Sequence, residues 1–466
     1  MDSEFWRYLE DSAGKAAACA VRSALERPSS VSVRLNPFKW NAGAGEVGRH
    51  FSCSAGPVPW SLLGFLLDVR PGFTIDPYFH AGAYYVQDSS AMFVGGLARR
   101  FIANLPEPVS RPFRVLDLCA APGGKTTDLA TSLRDRFGDG FLLVANEVMR
   151  GRAGVLADNV SLWGDPNVVV TSADPAAFSG LEGFFDMVLA DVPCSGEGMF
   201  RKDPEAVRQW SEDNVSLCQL RQRRIIADVW PSLSDGGVLV YSTCTFNRYE
   251  NDENVRWICG SLGAGCIPHN EMEPCSDSAG SGVMRTECGF LLLPGLVPGE
   301  GQFCSAVRKS GIRGDSIPPR KQRAVAGWGQ DGPCSWFRDS MRFRKAGDML
   351  LAVPAAIEDD VRRISSTVFT LRSGCAVGRM KGDILVPSSD LALDIMSAEG
   401  IFPSVGLDLR QALAFLHGDA IVLKDCPKGY LEVCYEGLPL GFVKNLGTRC
   451  NNLHPQDRRI RMDIDK

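Results

Sequence analysis

The sequence predicts an α/β protein, with a mostly parallel sheet covered by helices on both faces and smaller units before and after it. Three observations carry this. Short Val- and Leu-rich runs alternate with helical stretches from about residue 81 to residue 308. The runs are apolar throughout, as strands buried on two faces are, whereas half-exposed strands alternate. Glycine turns stand where one of these strands passes into a helix, the place where ligands bind in open α/β sheets.

Taken in order, residues 1–80 form a first unit. It begins with a helical stretch and continues with SVSVRLNPFKW, in which Val31, Val33 and Leu35 alternate as in a strand. A segment dotted with Pro and Gly follows, PVPWSLLGFLLDVRPGF. In the central unit, 81–308, RVLDLCA (114–120) reads as a buried strand, followed by a Gly turn and the helix KTTDLATSLRDRF. FLLVANEV (141–148) is the next strand and GRAGVLADNVSLWG the next helix. NVVVTSAD (167–174), FFDMVLADVP (184–193) and GGVLVYSTC (236–244) complete the strands. Residues 309–345 are rich in Arg, Pro and Gly and read as a basic linker. A final domain of short strands and turns spans 346–466, including GYLEVCYEGLPLGFVKN.

Composition bounds the function classes. Hydrophobic residues make up 45% and charged residues 23%, the balance of a globular chain. No apolar run approaches the ~20 residues of a membrane span, and MDSEFWRYLEDSAGK lacks the basic start and apolar stretch of a signal peptide. The expectation is a cytoplasmic protein. Sixteen cysteines occur, but none in a Cys-x-x-Cys pair, so no zinc site is expected. The net charge of −5 hides a basic stretch between Ser305 and Lys345. There Arg308, Lys309, Arg313, Arg320, Lys321, Arg323, Arg338, Arg342, Arg344 and Lys345 face only Asp315, Asp331 and Asp339. Lys444, Arg449, Arg458, Arg459 and Arg461 make the tail basic too. Local basic surfaces attract phosphate whatever the total charge, although solvated linkers and tails have the same composition.

The chemistry sits at strand ends. Cys119-Ala120-Ala121-Pro122-Gly123-Gly124-Lys125 joins a strand to a helix, where glycines admit a ligand to the backbone and the helix start offers free amides. Gly124-Lys125-Thr126 imitates the end of a nucleotide-binding P-loop, but the first glycine of that motif falls at Cys119, and Pro122 disfavours the wrapped amide cradle. Adenosyl-cofactor binding therefore ranks above nucleotide hydrolysis. Glu147, roughly 20 residues after the Gly turn, suits the two hydroxyls of a ribose. Asp174 suits an adenine amino group, although an acid at a strand end also serves as a helix cap. Asp191-Val-Pro-Cys194-Ser-Gly presents an acid and a thiol on one turn, and Ser242-Thr-Cys244-Thr-Phe brings a second thiol from the neighbouring strand. Singly, each cysteine is more often a buried small residue; paired beside an acid, they suit covalent catalysis. Carbon 5 of cytosine is a poor nucleophile. A thiolate adding to carbon 6, with an acid at N3, activates it for methylation. Chemistry alone leaves open which cysteine attacks.

LDLCAAPGGKT, ANE, SAD, ADVPCSGEG and YSTCTF, in this order and spacing, resemble the Nop/Sun family of RNA cytosine-carbon-5 methyltransferases. The overall layout looks like the bacterial RsmF-type subgroup, which acts on small-subunit ribosomal RNA. RLNPFKW, AYYVQDSSAM and GEGQFCSAVRK match further family segments, and GFVKNLGTRCNNLHPQDRRIRM resembles a PUA-like domain, so the likeness covers most of the chain. It implies a Rossmann-like class I methyltransferase core with a mostly parallel seven-stranded sheet. To this it adds a small N-terminal α+β segment and a C-terminal PUA-like mixed α/β RNA-binding domain. It further implies that Cys119 to Lys125, Glu147, Asp174 and Asp191 surround S-adenosylmethionine and the target base. Cys244 becomes the nucleophile, Cys194 the residue of product release and Asp191 the partner of N3. The implied partner is RNA, 16S rRNA or the small ribosomal subunit, with tRNA as the alternative substrate; neither DNA nor a membrane is implied, and the chain reads as a monomer. One departure is Gly441-Phe442, where the subgroup often has Trp after Gly. A non-catalytic RNA-binding assembly factor on the same fold is the competing reading.

Overall fold

The computed structural model describes residues 3–41, 43–105, 111–274, 282–311 and 327–464. Of the basic stretch, Arg313, Asp315, Arg320, Lys321 and Arg323 lie outside the described residues.

Two helices open the chain, α1 (Ser3–Ala13) and α2 (Lys15–Leu25), which bury Phe5, Leu9, Ala17, Ala18 and Val21 against the central unit. A small antiparallel sheet follows, from β1 (Val31–Leu35), β2 (Ala55–Pro57), β3 (Gly64–Leu67) and β4 (Tyr84–Val86), in the order β2-β3-β1-β4. The alternation of Val31, Val33 and Leu35 is thus a strand. The Pro- and Gly-dotted segment supplies its neighbours, and β4 carries this sheet past residue 80. Helix α3 (Ser89–Ala103), capped by Asp88, leads into the central unit.

The central sheet is built from β5 (Phe113–Asp117), β6 (Phe141–Asn146), β7 (Val168–Thr171), β8 (Phe185–Asp191) and β9 (Leu233–Thr243). These five pair in parallel in the order β9-β8-β5-β6-β7. Every residue of β5, β6 and β7 is buried. Their side chains divide between the two faces with a period of two. Leu116, Val144 and Val169 enter one apolar core, while Val115, Leu143 and Val170 enter the other. Helices α4 (Gly124–Phe137), α5 (Arg150–Trp163), α6 (Glu212–Val229) and α7 (Asp252–Leu262) complete the covering.

The sheet is wider than the seven strands expected. Beside the parallel five run β10 (Ala264–Cys266), β11 (Met284–Arg285), β12 (Phe290–Leu292) and β13 (Gln302–Lys309), with β13 antiparallel to β9, β10 and β12. At the far edge β16 (Thr370–Ser373), from the C-terminal third, pairs with β7 and makes the total ten. Nothing local marks β16 as part of this sheet, because the strand is short and polar.

Only part of 309–345 is free of regular structure among the described residues. β14 (Met341–Ala346) begins within it, with Met341 and Phe343 buried between outward basic residues. The Arg-rich composition masked that alternation. β14 pairs with β15 (Met349–Pro354), and β17 (Cys375–Lys381) and β18 (Ile384–Pro387) complete a four-stranded sheet. Helix α8 (Glu358–Thr367) sits between β15 and β16. The last sheet is β19 (Ser404–Leu407), β20 (Gly429–Tyr435), β21 (Leu438–Asn445) and β22 (Cys450–Asn452), with α9 (Leu409–His417) packed on it. This sheet is not a separate bead. Val33, Leu35 and Tyr84 of the first unit share one core with Phe415, Leu431 and Leu440 of the last.

Candidate active site

The chain order places the site. From β5 the chain runs to β6 and β7 on one side, then returns to β8 on the other side of β5. The crevice outside the carboxyl ends of β5 and β8 is therefore the switch point at which open α/β sheets bind ligands. Asp117 ends β5 and Asp191 ends β8.

The glycine turn is held from both sides. The Ala120 N–H donates to the carbonyl of Asn146 at 2.8 Å, Arg152 Nη2 donates to the Ala121 carbonyl at 2.9 Å, and Asn159 Nδ2 to that of Pro122 at 2.8 Å. Gly123 has φ +115°, a conformation side chains disfavour. A Cβ on Gly124 would stand 3.3 Å from the Tyr85 ring. From below, Arg34 is fully buried, with Nε on Gln87 Oε1 at 2.8 Å, Nη2 on the Gly124 carbonyl at 3.2 Å and its charge 3.8 Å from Asp128.

A cavity of ≈ 170 Å³ opens beside this turn. Its wall contains Asp117, Cys119, Ala120, Ala121, Pro122, Gly124, Lys125 and Asp191, and from β4 and the residues after it Tyr85, Gln87 and Asp88. The loop and Asp191 are thus brought together as the motifs indicated. Gly123 lies behind the wall. Asp117, Tyr85, Gln87 and Asp88 were missed. For Asp117 a signal existed, an acid inside the apolar run RVLDLCA, whereas nothing in the sequence tied 85–88 to the glycine turn. Burial pushes the Asp117 carboxyl up to about 7. Its Oδ2 accepts from Thr126 Oγ1 at 2.6 Å, while Oδ1 is buried without a protein partner. A buried, unsatisfied carboxylate oxygen costs free energy until a donor or cation reaches it. S-adenosylmethionine carries an ammonium and a sulfonium, so this wall fits it.

Glu147 and Asp174 do not line that cavity. Glu147 is buried, accepts from the Met149 N–H at 2.9 Å and pairs with Arg152 at 3.3 Å. Asp174 caps the short helix Pro175–Leu181 through the Ala176 N–H at 3.1 Å and pairs with Arg224 at 3.4 Å, so its capping role is the visible one. Asn146, unforeseen, ties three strand ends: its Nδ2 donates to the carbonyls of Leu118 and Ala173, and its Oδ1 accepts from Thr171.

The two thiols meet at the lip. The Cys194 and Cys244 sulfurs are 3.3 Å apart. Asp191 stands beside them in a set of donors, with Oδ2 on Lys125 Nζ at 2.9 Å and Oδ1 on Ser242 Oγ at 2.5 Å and Gln302 Nε2 at 3.1 Å. Burial alone would lower Lys125, but Asp191, Cys244 and Asp117 together outweigh it and the net shift is upward. Cys194 is held well above an ordinary thiol, first by its contact with Cys244, then by burial and the nearby Glu250 carboxylate. The two sulfurs therefore differ in surroundings, Cys244 within the field of an ammonium and Cys194 within that of a carboxylate.

Comparison with known proteins gives the family. Residues 106–267 match the 16S rRNA methyltransferase RsmB/F family, residues 1–89 the N-terminal domain of 16S rRNA methyltransferase RsmF, and residues 402–460 the methyltransferase RsmF PUA domain. The ribosomal RNA small subunit methyltransferase F of Shewanella loihica is 31% identical over 433 residues, covering 86% of this chain and 83% of the relative. The chain belongs to the RsmB/F family.

It is an S-adenosylmethionine-dependent rRNA methyltransferase. The enzyme of the same name from Serratia proteamaculans is 29% identical over 463 residues, covering 93% of this chain and 91% of its own. Among solved structures, NSun6 from Pyrococcus horikoshii with SFG superposes with TM-score 0.53 at 18% identity, over 67% of this chain and 99% of that one. A methyltransferase homolog from the same organism gives TM-score 0.51 at 24% identity, over 66% of this chain and 95% of that one. These two likenesses show the fold.

The PUA domain of this RsmB/F-family chain corrects two details. Arg458 is not part of a free basic surface: it is largely buried and pairs with Asp158 of α5 at 3.0 Å and Asp390 at 3.1 Å. Lys444, Arg449, Arg459 and Arg461 remain exposed. Phe442, where the subgroup often has Trp, is buried against Phe402 with ring centroids 4.9 Å apart, so it serves the core. Upstream, Arg342 pairs with Glu358 at 3.4 Å and Arg338 with Glu399 at 3.3 Å, leaving less free charge there than the sequence suggests. Among the described residues no helix is long and apolar enough to cross a membrane.

Proposed function

We propose that the protein methylates carbon 5 of one cytosine in 16S rRNA through a covalent bond between Cys244 and carbon 6 of the base. The observation that carries the reading is that Cys194 and Cys244 meet at 3.3 Å while Asp191, paired with Lys125, stands in the cavity wall at the switch point. S-adenosylmethionine, when bound, supplies an electrophilic methyl group. The loop from Cys119 to Lys125, with Asp117, holds it, while Glu147 and Asp174 are candidates for its ribose and adenine.

Cys244 forms the bond to carbon 6 as the thiolate, with the Lys125 ammonium in electrostatic reach of it. Asp191 hydrogen-bonds the proton that N3 takes up and receives it back when the adduct breaks down, with the Lys125 ammonium 2.9 Å away as its donor. After methylation Cys194 takes the carbon 5 proton. The freed electron pair restores the carbon 5–carbon 6 double bond, the sulfur–carbon 6 bond breaks, and Cys244 departs as thiolate. The largest cause of the raised Cys194 value is its contact with Cys244, and that contact changes once Cys244 is bonded to the base. With that contact gone Cys194 gives up its own proton to solvent more readily, so the thiolate is there at the step that needs a base.

The units at 1–80 and 346–466, with the basic residues of 309–345 and the exposed tail cations, are read as RNA-binding. The target base must be unpaired or flipped, since the thiolate approaches the ring from its face. The protein is read as a monomer, and its place as the cytoplasm. Bisulfite sequencing of total RNA from cells with and without the gene tests the reading. Loss of one methylated cytosine in 16S rRNA is expected. Loss in tRNA would overturn the substrate, and no change anywhere would overturn the reaction.

A further inference from the structure

We propose that Glu250 is a positioning residue for release of the covalent intermediate, tying the turn that carries Cys194 to the loop that carries Cys244. This rests on the roles given to the two cysteines above. Glu250 is fully buried and no motif drew attention to it. Its Oε2 accepts the Ser195 N–H at 3.0 Å and Gln222 Nε2 at 2.7 Å, and its Oε1 accepts Asn247 Nδ2 at 2.9 Å.

Two of these bonds bracket Cys194. Ser195 follows it, and the same Gln222 amide that donates to Glu250 also donates to the Pro193 carbonyl at 3.0 Å. The backbone on either side of the Cys194 thiol is thus anchored to one carboxylate and one amide. The third bond leads to the other loop. Asn247 also donates to Thr245 Oγ1 at 2.9 Å, and that hydroxyl meets Ser195 Oγ at 2.8 Å. Thr245 is the residue after Cys244. A closed circuit of buried hydrogen bonds therefore runs from the turn bearing one thiol to the loop bearing the other.

The circuit uses both carboxyl oxygens of Glu250 as acceptors; burial pushes the group up to about 7, while the bonds from Ser195, Asn247 and Gln222 favour its ionised form. Three donors converge on Glu250, and an amide of the same size offers one oxygen and turns an NH2 toward at least one of them. Glu250→Gln keeps the volume but sets donor against donor, which a buried network does not tolerate. The Glu250 oxygens accept from Ser195, Gln222 and Asn247 and not from Lys125, so addition to carbon 6 does not depend on them directly. Proton removal from carbon 5 does, because it needs Cys194 held against the adduct that Cys244 has formed.

The experiment uses the full chain with S-adenosylmethionine and small-subunit rRNA from cells lacking the gene. Adduct formation is read on denaturing gels and methyl transfer by turnover, for the wild type, E250Q, Q222M and C194A. E250Q is expected to form the adduct within about threefold of the wild-type rate while turnover falls about tenfold or more, so that protein and RNA accumulate as one species. Q222M, which keeps the Glu250 carboxyl with its Ser195 and Asn247 bonds but removes the Gln222 donor and frees Pro193, is expected to shift the same ratio by less. Adduct formation and turnover falling together in both variants, or wild-type turnover in E250Q, would overturn the proposal. C194A separates the two layers. Trapping in C194A without trapping in E250Q refutes the role of Glu250 alone, and no trapping in C194A refutes the cysteine roles and this proposal with them.

Discussion

The sulfurs of Cys194 and Cys244 lie 3.3 Å apart although the residues are separated by 50 positions. Strand register produces this. β8 and β9 are parallel neighbours with Asp191 opposite Ser242, so the residues just beyond each strand emerge side by side. Parallel strands send every carboxyl end to the same edge, and a site built from several of them assembles there.

The Cys244→Ala enzyme should lose methyl transfer to background, because no other thiolate reaches carbon 6 in the field of Lys125. Cys194→Ala should form the protein–RNA adduct and fail to release it. A denaturing gel of each variant incubated with rRNA and cofactor distinguishes the two. Full activity of Cys244→Ala would exclude it as nucleophile.

Asp117 should make cofactor binding depend on pH. Its carboxyl is raised by burial to about 7, so the free protein carries it partly protonated at neutral pH, while a cationic ligand selects the carboxylate. Affinity for S-adenosylmethionine should therefore rise with pH and level off above about 8, weakening by up to about tenfold per unit on the acid side. The Asp117→Asn variant should bind weakly and lose this dependence, as calorimetry across that range would show. The same shift has an opposite consequence for stability. Between the ordinary value of 3.8 and about 7 the folded chain holds a proton that the unfolded chain has released. The contribution of Asp117 to stability of the ligand-free protein is thus fully present below that window and declines as pH rises through it.

Arg34→Met should destabilise the protein by about 3–5 kcal/mol, because it leaves Asp128 buried without its cation. The loss includes the anchor on the Gly124 carbonyl, so cofactor affinity should fall with it. Thermal unfolding and cofactor titration check the two effects. A stable Arg34→Met protein would show that the glycine turn holds itself.

Gly198→Ala should reduce methyl transfer about tenfold or more while leaving cofactor affinity near normal. A Cβ there would stand 2.8 Å from the Cys244 carbonyl oxygen and 3.1 Å from that of Glu300, both backbone atoms that cannot swing aside. The Gly198 N–H also donates to that Cys244 carbonyl at 2.7 Å, so the substitution pushes on the nucleophile's own loop. Single-turnover kinetics would separate this from a loss of cofactor.

By itself the sequence determined the alternation of strands and helices in the central unit and the residues standing at its strand ends. Those signals are local: an apolar run between turns, a glycine pair before a helix, an acid and a thiol on one turn. The assembly at the switch point was legible for the same reason, because parallel topology places all such ends on one edge. Tertiary structure alone decided what covers which face. Periodicity shows that Val33 and Leu35 have an apolar partner, but not that Phe415 and Leu440 share their core. Nor does it show that Arg458 is spent on Asp158 and Asp390. The difference between the two thiols belongs here as well. It depends on Lys125 approaching one and Glu250 the other, and the field at a buried sulfur is set by charges that are distant in the chain and close only once it has folded.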